Sequence, residues 1–392
     1  MFAFPTLRFP GFEEEWILKK LNEVANFYSG GTPLTSKKEY FDGNIPFIRS
    51  GEIDSDKTEQ FITELGLKSS SAKLVDTGDI LYALYGANSG EVAICKIHGA
   101  INQAILCIKS EENHYFIYSY LLLKKEYVTK TFLQGGQGNL SAEIIKNLEI
   151  KVPSLLEQQK IAMLFSILDE RITTQKKIIE DLITVKNIVI KKIFEGKLQF
   201  TSEDYNFSHL QPKTLSEFLS IPRKIKPDII DKDKLLTVKL HLKGVHKNEK
   251  SETLSIGATN YFVREKGQFI YGKQNLFNGA FAIIPDCYDG FLSSADVPAL
   301  EINSDRLNGK YLFYLFSRES FYKKLEDIST GSGSKRIHEA DLLKIKILVP
   351  SLVEQNKVVK FLSSLDEKIN VEKDLVINYE NQKKYLLANL FV

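Results

Sequence analysis

The residues with the clearest potential for chemistry lie in short glycine- and serine-rich loops that occur in two separate parts of the sequence. Such loops let a ligand approach the backbone closely, and the Arg, Lys, Asn, Gln and Ser side chains beside them can hydrogen-bond to phosphates and to base edges. The sequence therefore predicts two surfaces suited to DNA contact. The loops are SGGTP (29–33), IRSGE (48–52), YGANSG (85–90) and GGQGN (135–139) in the first part, and YGKQN (271–275), Ser293–Ser294 and GSKR (333–336) in the second.

Nineteen residues in or near these loops are the candidate DNA contacts. A simpler alternative exists for each loop alone, since a glycine pair such as Gly30–Gly31 can serve only to supply positive φ, and Arg49 can form an ordinary surface ion pair. The joint occurrence of such loops in two parts of one chain favours DNA. The candidates are Gly31, Thr32, Lys37, Arg49, Ser50, Tyr85, Asn88, Ser89, Gln134, Gln137, Asn139, Lys243, Lys273, Gln274, Asn275, Ser293, Ser294, Lys335 and Arg336.

Charge adds a local argument for binding. The stretch from Arg223 to Lys247 holds eight Lys or Arg against three Asp, although such a run also fits a solvated face. The whole chain carries 52 Lys and Arg against 50 Asp and Glu, a net charge of +2 that neither proposes nor excludes a nucleic-acid partner. Its 392 residues exceed the size of one hydrophobic core, so two or more domains are expected.

Catalytic signatures do not occur in the sequence. We find no GxxxxGK[ST] phosphate loop, no GxGxxG fingerprint, no GxSxG elbow and no HExxH helix. His241 and His246 lack the spacing of metal ligands, and the three cysteines Cys95, Cys107 and Cys287 form neither a zinc motif nor an even set for disulfides. The sequence thus predicts a binding protein that is not itself an enzyme, holds no metal, crosses no membrane and resides in the cytoplasm.

A long internal repeat supplies the elements that would position the loops. The segment VPSLLEQQKIAMLFSILDERI (152–172) recurs as VPSLVEQNKVVKFLSSLDEKI (349–369), with 12 of 21 residues identical. In both copies a proline precedes Ser154 or Ser351, which is suited to cap a helix together with the glutamate three residues later.

Apolar residues then recur at alternating steps of four and three, which predicts two helices that pack lengthwise. We expect an antiparallel pair with a pseudo-twofold repeat and a domain at each end. Polar positions in this seam predict the pairs Gln175 with Lys383 and Lys186 with Glu372. The seam comprises Ile161, Phe165, Leu168, Ile172, Ile179 and Leu182 in the first helix, and Val358, Leu362, Leu365, Ile369, Val376 and Tyr379 in the second.

The segments before the helices repeat more loosely. GDILYALYGANSGEVAI (78–94) aligns without a gap on GQFIYGKQNLFNGAFAI (267–283), and both contain short β-rich runs. The predicted fold is α+β, with two β-rich globular domains separated by two long helices. Its parts are residues 1–150 (head 1), 151–198 (first repeat helix), 199–347 (head 2) and 348–392 (second repeat helix).

These features resemble the specificity subunit of type I restriction–modification systems over nearly the whole chain. The two Pro-Ser-Leu-x-Glu-Gln segments at the start of heptad helices are the most specific element. Head 2 departs from the pattern, since LSIPRKIKPDII (219–230) stands where head 1 has GGTP, which indicates that the two half-sites differ. The other matching pieces are LRFPGFEEEW (7–16), SGGTP (29–33), FDGNIPFIRSGEI (41–53), GDIL (78–81) and KKIFEGKLQF (191–200).

The resemblance implies that each head is a target-recognition domain for one half of a bipartite, interrupted site in double-stranded DNA. It implies that the coiled coil sets the spacer and that the chain assembles with two modification subunits and with restriction subunits. S-adenosylmethionine, ATP and Mg would then act on those partners, with no cofactor bound by this chain. The alternatives are an assembly protein that binds only other proteins and, more remotely, an enzyme with an unrecognised site.

Overall fold

The computed structural model describes residues 5–133, 138–198, 210–249, 259–331 and 334–391. The chain forms two compact units, and each unit combines one head with part of both long helices. Unit 1 comprises residues 1–177 and 373–392, and unit 2 comprises residues 178–372. None of the four predicted segments is therefore a compact unit by itself, and that four-part division stays a prediction.

Short strands occur along the described parts of both heads. They are β1 (Ile17–Lys20), β2 (Ala25–Ser29), β3 (Phe41–Ile48), β4 (Phe61–Ile62), β5 (Lys73–Val75), β6 (Ile80–Ala83), β7 (Val92–Ile94), β8 (Gly99–Ile101), β9 (Ile105–Ser110) and β10 (Glu149–Val152), then β11 (Lys213–Thr214), β12 (Leu219–Ser220), β13 (Leu236–Lys239), β14 (Gly244–Lys247), β15 (Tyr261–Val263), β16 (Phe269–Tyr271), β17 (Phe281–Ile283), β18 (Leu292–Ser294), β19 (Ala299–Ile302) and β20 (Lys346–Ile347).

The helices of the heads have at most 19 residues, whereas the two repeat helices have 40 and 39. They are α1 (Glu64–Lys68), α2 (His114–Phe132), α3 (Ala142–Lys146), α4 (Leu155–Phe194), α5 (Gly309–Phe316), α6 (Glu319–Tyr322), α7 (Glu339–Leu342) and α8 (Leu352–Leu390).

The two heads share one sheet design, as the ungapped alignment predicted. Four antiparallel strands lie in the order β2-β9-β6-β7 in head 1 and β12-β19-β16-β17 in head 2. The register also agrees, because Ile80 pairs with Ile94 where Phe269 pairs with Ile283. Around this shared sheet the heads differ. Head 1 adds the sheet β4-β3-β8-β5, whereas head 2 adds the pairs β13-β14 and β15-β18.

Equivalent glycines explain why the loops around this sheet keep their shape in both heads. Gly78 and its equivalent Gly267 have φ of 97° and 81°, and Gly90 and its equivalent Gly279 have φ of 92° and 74°. Residues with a Cβ rarely adopt these values, so glycine is needed at both turns.

The long helices begin and end near the predicted residues. Each starts after a proline and a serine, and the Ser351 hydroxyl accepts a hydrogen bond from the Glu354 amide at 3.4 Å. The glutamate expected to complete the cap of α4 has another role, since the Glu157 carboxylate accepts two bonds of 2.8 Å from the Arg8 guanidinium. A charged guanidinium is a stronger partner for a buried carboxylate than a backbone amide.

Within each unit the two helical segments lie antiparallel. In unit 1, Lys176 forms an ion pair with Glu380 at 2.8 Å, while Asp169 pairs with Lys383 further along. In unit 2, Lys186 pairs with Asp366, and Ile193 further along α4 shares an apolar cluster with Val358 nearer the start of α8, so these segments also run in opposite directions. All twelve predicted seam residues are buried or half-buried.

The buried polar contacts of the seam use other partners than the sequence predicted. Lys383 pairs with Asp169 and Lys186 pairs with Asp366, so the expected pairs Gln175 with Lys383 and Lys186 with Glu372 are wrong. Both aspartates directly follow a seam leucine, and the long lysine stem reaches past the seam to them. The pairs are still equivalent, because Asp169 and Asp366 are 197 residues apart, as are Lys186 and Lys383.

The aspartate of each ion pair also accepts a hydrogen bond from one tyrosine of a head. The Tyr115 hydroxyl donates to Asp169 at 2.6 Å, and the Tyr314 hydroxyl donates to Asp366 at 2.7 Å. Burial and the hydrogen bond to Asp169 raise the pKa of Tyr115, so it stays a proton donor across the physiological range.

We expect Lys383→Met to lower the free energy of unfolding by roughly 1–3 kcal/mol, because it leaves the partly buried Asp169 carboxylate without its cation. Urea unfolding measures the effect. Lys384→Met changes the exposed neighbouring lysine and serves as the control. Equal stability of the two variants would contradict a structural role for the pair.

The glutamine of the repeated Pro-Ser-Leu-x-Glu-Gln segment is a buried clamp in both units. The Gln158 amide donates to the Pro153 carbonyl at 2.9 Å, and its oxygen accepts from the Asn113 amide at 3.1 Å. Gln355 makes the equivalent bonds, to the Pro350 carbonyl at 2.9 Å and from the Asn308 amide at 2.8 Å. Each clamp ties the start of a long helix to the N-cap of a head helix, which explains why both copies keep the residue.

Replacing Gln158 by leucine is expected to cost about 2–4 kcal/mol of stability, since it removes the partners of a buried amide and a buried carbonyl. Thermal unfolding of Gln158→Leu against Gln159→Leu, its exposed neighbour, checks this. If both variants melt at the same temperature as the unchanged chain, Gln158 does not stabilise the start of α4 in this way.

Candidate nucleic-acid interface

The predicted loops of head 1 converge at one edge of its shared sheet. The Thr32 hydroxyl donates to the Gln103 side chain at 2.8 Å, so loop 29–33 lies against the turn before β9. The Leu84 amide in turn donates to the Ala104 carbonyl, and the Leu140 amide donates to the Leu84 carbonyl at 2.9 Å. These bonds bring loops 29–33, 85–90 and 138–140 together.

Loop 48–52 joins the same group. A Cβ added to Gly51 would lie 3.2 Å from the Asn88 side-chain nitrogen, so the two loops are in contact. Of the candidates in head 1, Thr32, Lys37, Asn88 and Asn139 are exposed. Lys37 donates to the Tyr40 hydroxyl at 3.1 Å, which raises the pKa of the lysine.

Three further candidates of head 1 have less exposed side chains. Ser50, Tyr85 and Ser89 are half-buried, and the Ser89 hydroxyl donates to the Gly86 carbonyl at 2.8 Å. Gln134 and Gln137 lie outside the described residues, so their prediction stands as made.

Gly30 and Gly31 have a different role from the one considered above. Neither has positive φ. Instead a Cβ on Gly30 would lie 1.7 Å from the Ile101 carbonyl oxygen, and one on Gly31 would lie 1.8 Å from the Ser71 hydroxyl. The pair therefore permits close packing of the loop on the sheet. Gly31 is buried by this packing, which corrects its assignment as a contact residue.

Arg49 is held by two carboxylates. It bonds to Glu52 at 2.9 and 3.1 Å and to Glu59 at 2.7 Å, as the ion-pair alternative predicted. Burial raises the pKa of Glu52, but hydrogen bonds from Arg49, from backbone amides and from Thr58 outweigh it and lower the value to about 2. This network fixes the shape of loop 48–52.

The loops of head 2 converge in the same manner. The Lys273 amide donates to the Asp296 carbonyl, and the Ile337 amide donates to the Lys273 carbonyl, both at 2.9 Å. The second bond is equivalent to the bond from Leu140 to Leu84 in head 1. Ile337 lies 197 residues after Leu140, the offset of the repeated helices, and Lys273 lies 189 residues after Leu84, the offset of the aligned block. Asn139 of head 1 and Arg336 of head 2 therefore occupy the same position.

Two exposed or half-exposed charged candidates of head 2, Arg336 and Lys335, are paired with carboxylates. Arg336 bonds to Asp296 at 3.0 Å, and its guanidinium lies beside the Gln274 side-chain amide, whose oxygen accepts from it at 2.9 Å once the amide is turned over. Lys335 is exposed and pairs with Glu326 at 2.6 Å. Surface pairs of this kind are weak enough to exchange for phosphate or base partners.

Two other candidates lie along the same turn. Asn275 accepts from the Asn278 side chain at 3.2 Å. Lys243 is exposed and its loop is joined to this turn, because the His241 amide donates to the Asn278 carbonyl at 2.9 Å.

Two assignments in head 2 change, and one buried residue was missed. Ser293 is fully buried on β18, where its hydroxyl accepts from Arg264 at 2.7 Å, so it is a core residue and not a contact. Side chains alternate along a strand, and the half-buried neighbour Ser294 faces the other way. Lys273 is largely buried in an ion pair of 3.0 Å with Glu339. The buried Arg264 was missed, because no local pattern distinguishes it from an exposed arginine.

The described part of the chain contains no group of three or more His, Cys, Asp or Glu placed to hold a metal ion. Within the same residues, no helix has both the length and the apolar character needed to cross a bilayer.

Comparison with known proteins agrees with this geometry. The family model for the type I restriction modification DNA specificity domain matches twice, at residues 13–183 and 213–378. The specificity subunit of the type I restriction enzyme MjaVIII from Methanocaldococcus jannaschii is 24% identical over 95% of this chain and 91% of its own length. That of EcoR124I/EcoR124II from Escherichia coli is 28% identical over 54% of this chain and 52% of its own.

Among solved structures, the S subunit of a type I restriction–modification system from M. genitalium shares the fold. Its TM-score is 0.59 at 18% identity, and the match covers 99% of both chains. With the family model matched across both heads and most of both long helices, this chain belongs to the family of type I restriction–modification DNA specificity proteins.

Proposed function

We propose that this chain is the DNA sequence-recognition subunit of a type I restriction–modification complex. Each head reads one half of a bipartite, interrupted site, and the paired helices set the spacer and dock the modification subunits. The observation that carries the proposal is the shared frame of loops in the two heads, held by equivalent backbone bonds from Leu140 and Ile337.

The side chains on this shared frame differ, which supports an asymmetric target. Asn139 in head 1 corresponds to Arg336 in head 2, and Leu84 corresponds to Lys273. Asn is suited to adenine and Arg to guanine in the major groove. Two heads of one design with different contact residues would recognise two different half-sites.

The chemistry of modification and cleavage then belongs to the partners. We propose that the chain is not an enzyme and assembles with two modification subunits, which bind S-adenosylmethionine, and with restriction subunits, which use ATP and Mg. The complex would work in the cytoplasm on double-stranded DNA. Phosphate contacts from both heads would make its binding weaken as salt rises.

Co-expression of the chain with a type I modification subunit from the same genome tests the proposal. We expect methylation at one asymmetric, interrupted sequence that disappears when this chain is omitted. Methylation that is unchanged without the chain would instead favour an assembly protein that makes no base contacts.

A further inference from the structure

Head 2 contains a small basic pocket at the edge of its predicted DNA surface. The cavity has a volume of about 30 Å³, which is room for one water-sized group. Its charged lining consists of Arg264, Lys273, Lys224 and Glu339, and its remaining walls are mainly apolar. The rim includes the exposed residues Lys224 and Ala295.

The arginine in this pocket is built into the core. Arg264 is only 4% exposed, and its guanidinium donates to the Ser293 hydroxyl at 2.7 Å and to the Val297 carbonyl at 3.4 Å. No ion pair joins it to a carboxylate in the described part of the chain. Burial lowers the pKa of Arg264 to about 10, so the group still carries its charge at neutral pH.

The remaining charges leave the pocket positive. Lys273 and Glu339 neutralise each other in their 3.0 Å ion pair. Lys224 adds a second positive charge near the rim and lies over the Phe262 ring at 5.8 Å. Arg264 and Lys224 together therefore give a local excess of two positive charges beside the mouth of the cavity.

Head 1 shows that the shared frame does not require a charge at the position of Lys273. The ungapped alignment places Leu84 there, and Leu84 is a buried apolar residue at 1% exposure. Burying the Arg264 guanidinium without a carboxylate partner costs free energy, which an anionic ligand would offset.

We propose that this pocket binds a backbone phosphate of the DNA held by head 2, with one phosphate oxygen entering the cavity beside Arg264. The inference rests on the proposed function. The position fits, because Lys273 belongs both to the pocket and to the converged loops around Arg336. A contact to phosphate anchors the head on the duplex without choosing a base.

Arg264→Met tests the pocket in the full chain, with binding to fluorescent duplexes measured at several salt concentrations. We expect about tenfold to hundredfold weaker binding at about 0.1 M salt, equal on specific and scrambled duplexes, and a salt slope smaller by about 0.9. Lys224→Met, at an exposed site, should lower the slope likewise. It keeps the test valid should Arg264→Met unfold. Arg318→Met replaces a half-buried arginine of head 2 outside the pocket and should bind as the unchanged chain does.

The possible outcomes distinguish a failure of the pocket proposal from a failure of the proposed function. If the unchanged chain does not bind its target, the proposed function itself fails. If it binds and the pocket variants bind with the same affinity and slope, the pocket proposal fails. If the variants lose affinity only for the specific duplex, the pocket contacts a base and the phosphate proposal fails. The proposal also fails if the variants bind DNA normally while inorganic phosphate raises the melting temperature of the unchanged chain, because the pocket then binds free phosphate.

Discussion

Replacing Phe391 by alanine is expected to lower the free energy of unfolding of unit 1 by about 3–5 kcal/mol. Phe391 follows the end of α8, yet its ring lies in the core of head 1 with 6% exposure. The centroids of the Phe116 and Phe165 rings are 5.1 and 6.2 Å away. Removal of this ring would leave a cavity in the centre of an aromatic cluster.

The equivalent aromatic residue at the end of α4 lies in the core of head 2. Phe194 lies 197 residues before Phe391 and packs in head 2, with its centroid 5.2 Å from that of Tyr311. Each long helix thus starts at the end of one head and places an aromatic side chain in the core of the other. This crossed arrangement makes the stability of each head depend on a helix that begins elsewhere.

Amide hydrogen exchange gives the measurement, since it reports on each unit separately. Phe391→Ala should speed exchange in β6 and β9 of head 1 and leave β16 and β19 of head 2 unchanged. Tyr385→Ala is the control on the same helix, because that side chain is 59% exposed. If the two variants exchange alike in head 1, the ring does not stabilise its core.

Asn139→Ala and Arg336→Ala are expected to weaken DNA binding at opposite half-sites. They occupy the same position on the shared frame, so each should cost about 1–3 kcal/mol, roughly tenfold to hundredfold, at its own half-site. The effect at the other half-site should be small, because each head makes its own set of contacts.

Gel shifts on split targets, in which one half-site is intact and the other scrambled, measure the two effects. Asn147→Ala and Lys344→Ala are matched controls, exposed and likewise 197 residues apart. Equal losses at both half-sites for either variant would show that its side chain does not belong to one half-site.

Local sequence patterns predicted the long helices and the shared sheet well. Proline, serine and heptad spacing are short-range signals, and the bounds of α4 and α8 agree with them. The glycine positions of the aligned block were also informative, because Gly78 and Gly267 are needed for their positive φ.

Long-range polar contacts could not be predicted from local sequence patterns. The partner of Lys383 is Asp169, which is set by how far a lysine stem reaches across the helix pair and not by the heptad position. Ser293 looked like a loop hydroxyl but is a buried acceptor for Arg264, and both facts depend on strands far apart in sequence. The loops were predicted as a DNA-contact surface and remain a prediction, whereas packing, which decides which of their side chains are exposed, could not be read from the sequence.

A duplex series in which the two half-sites are separated by one additional base pair at a time tests most directly whether the helices hold two different heads at a fixed distance. We predict that affinity peaks at one spacer length and falls sharply on either side. Affinity that does not change across the series would show that the two heads bind independently of the helices between them.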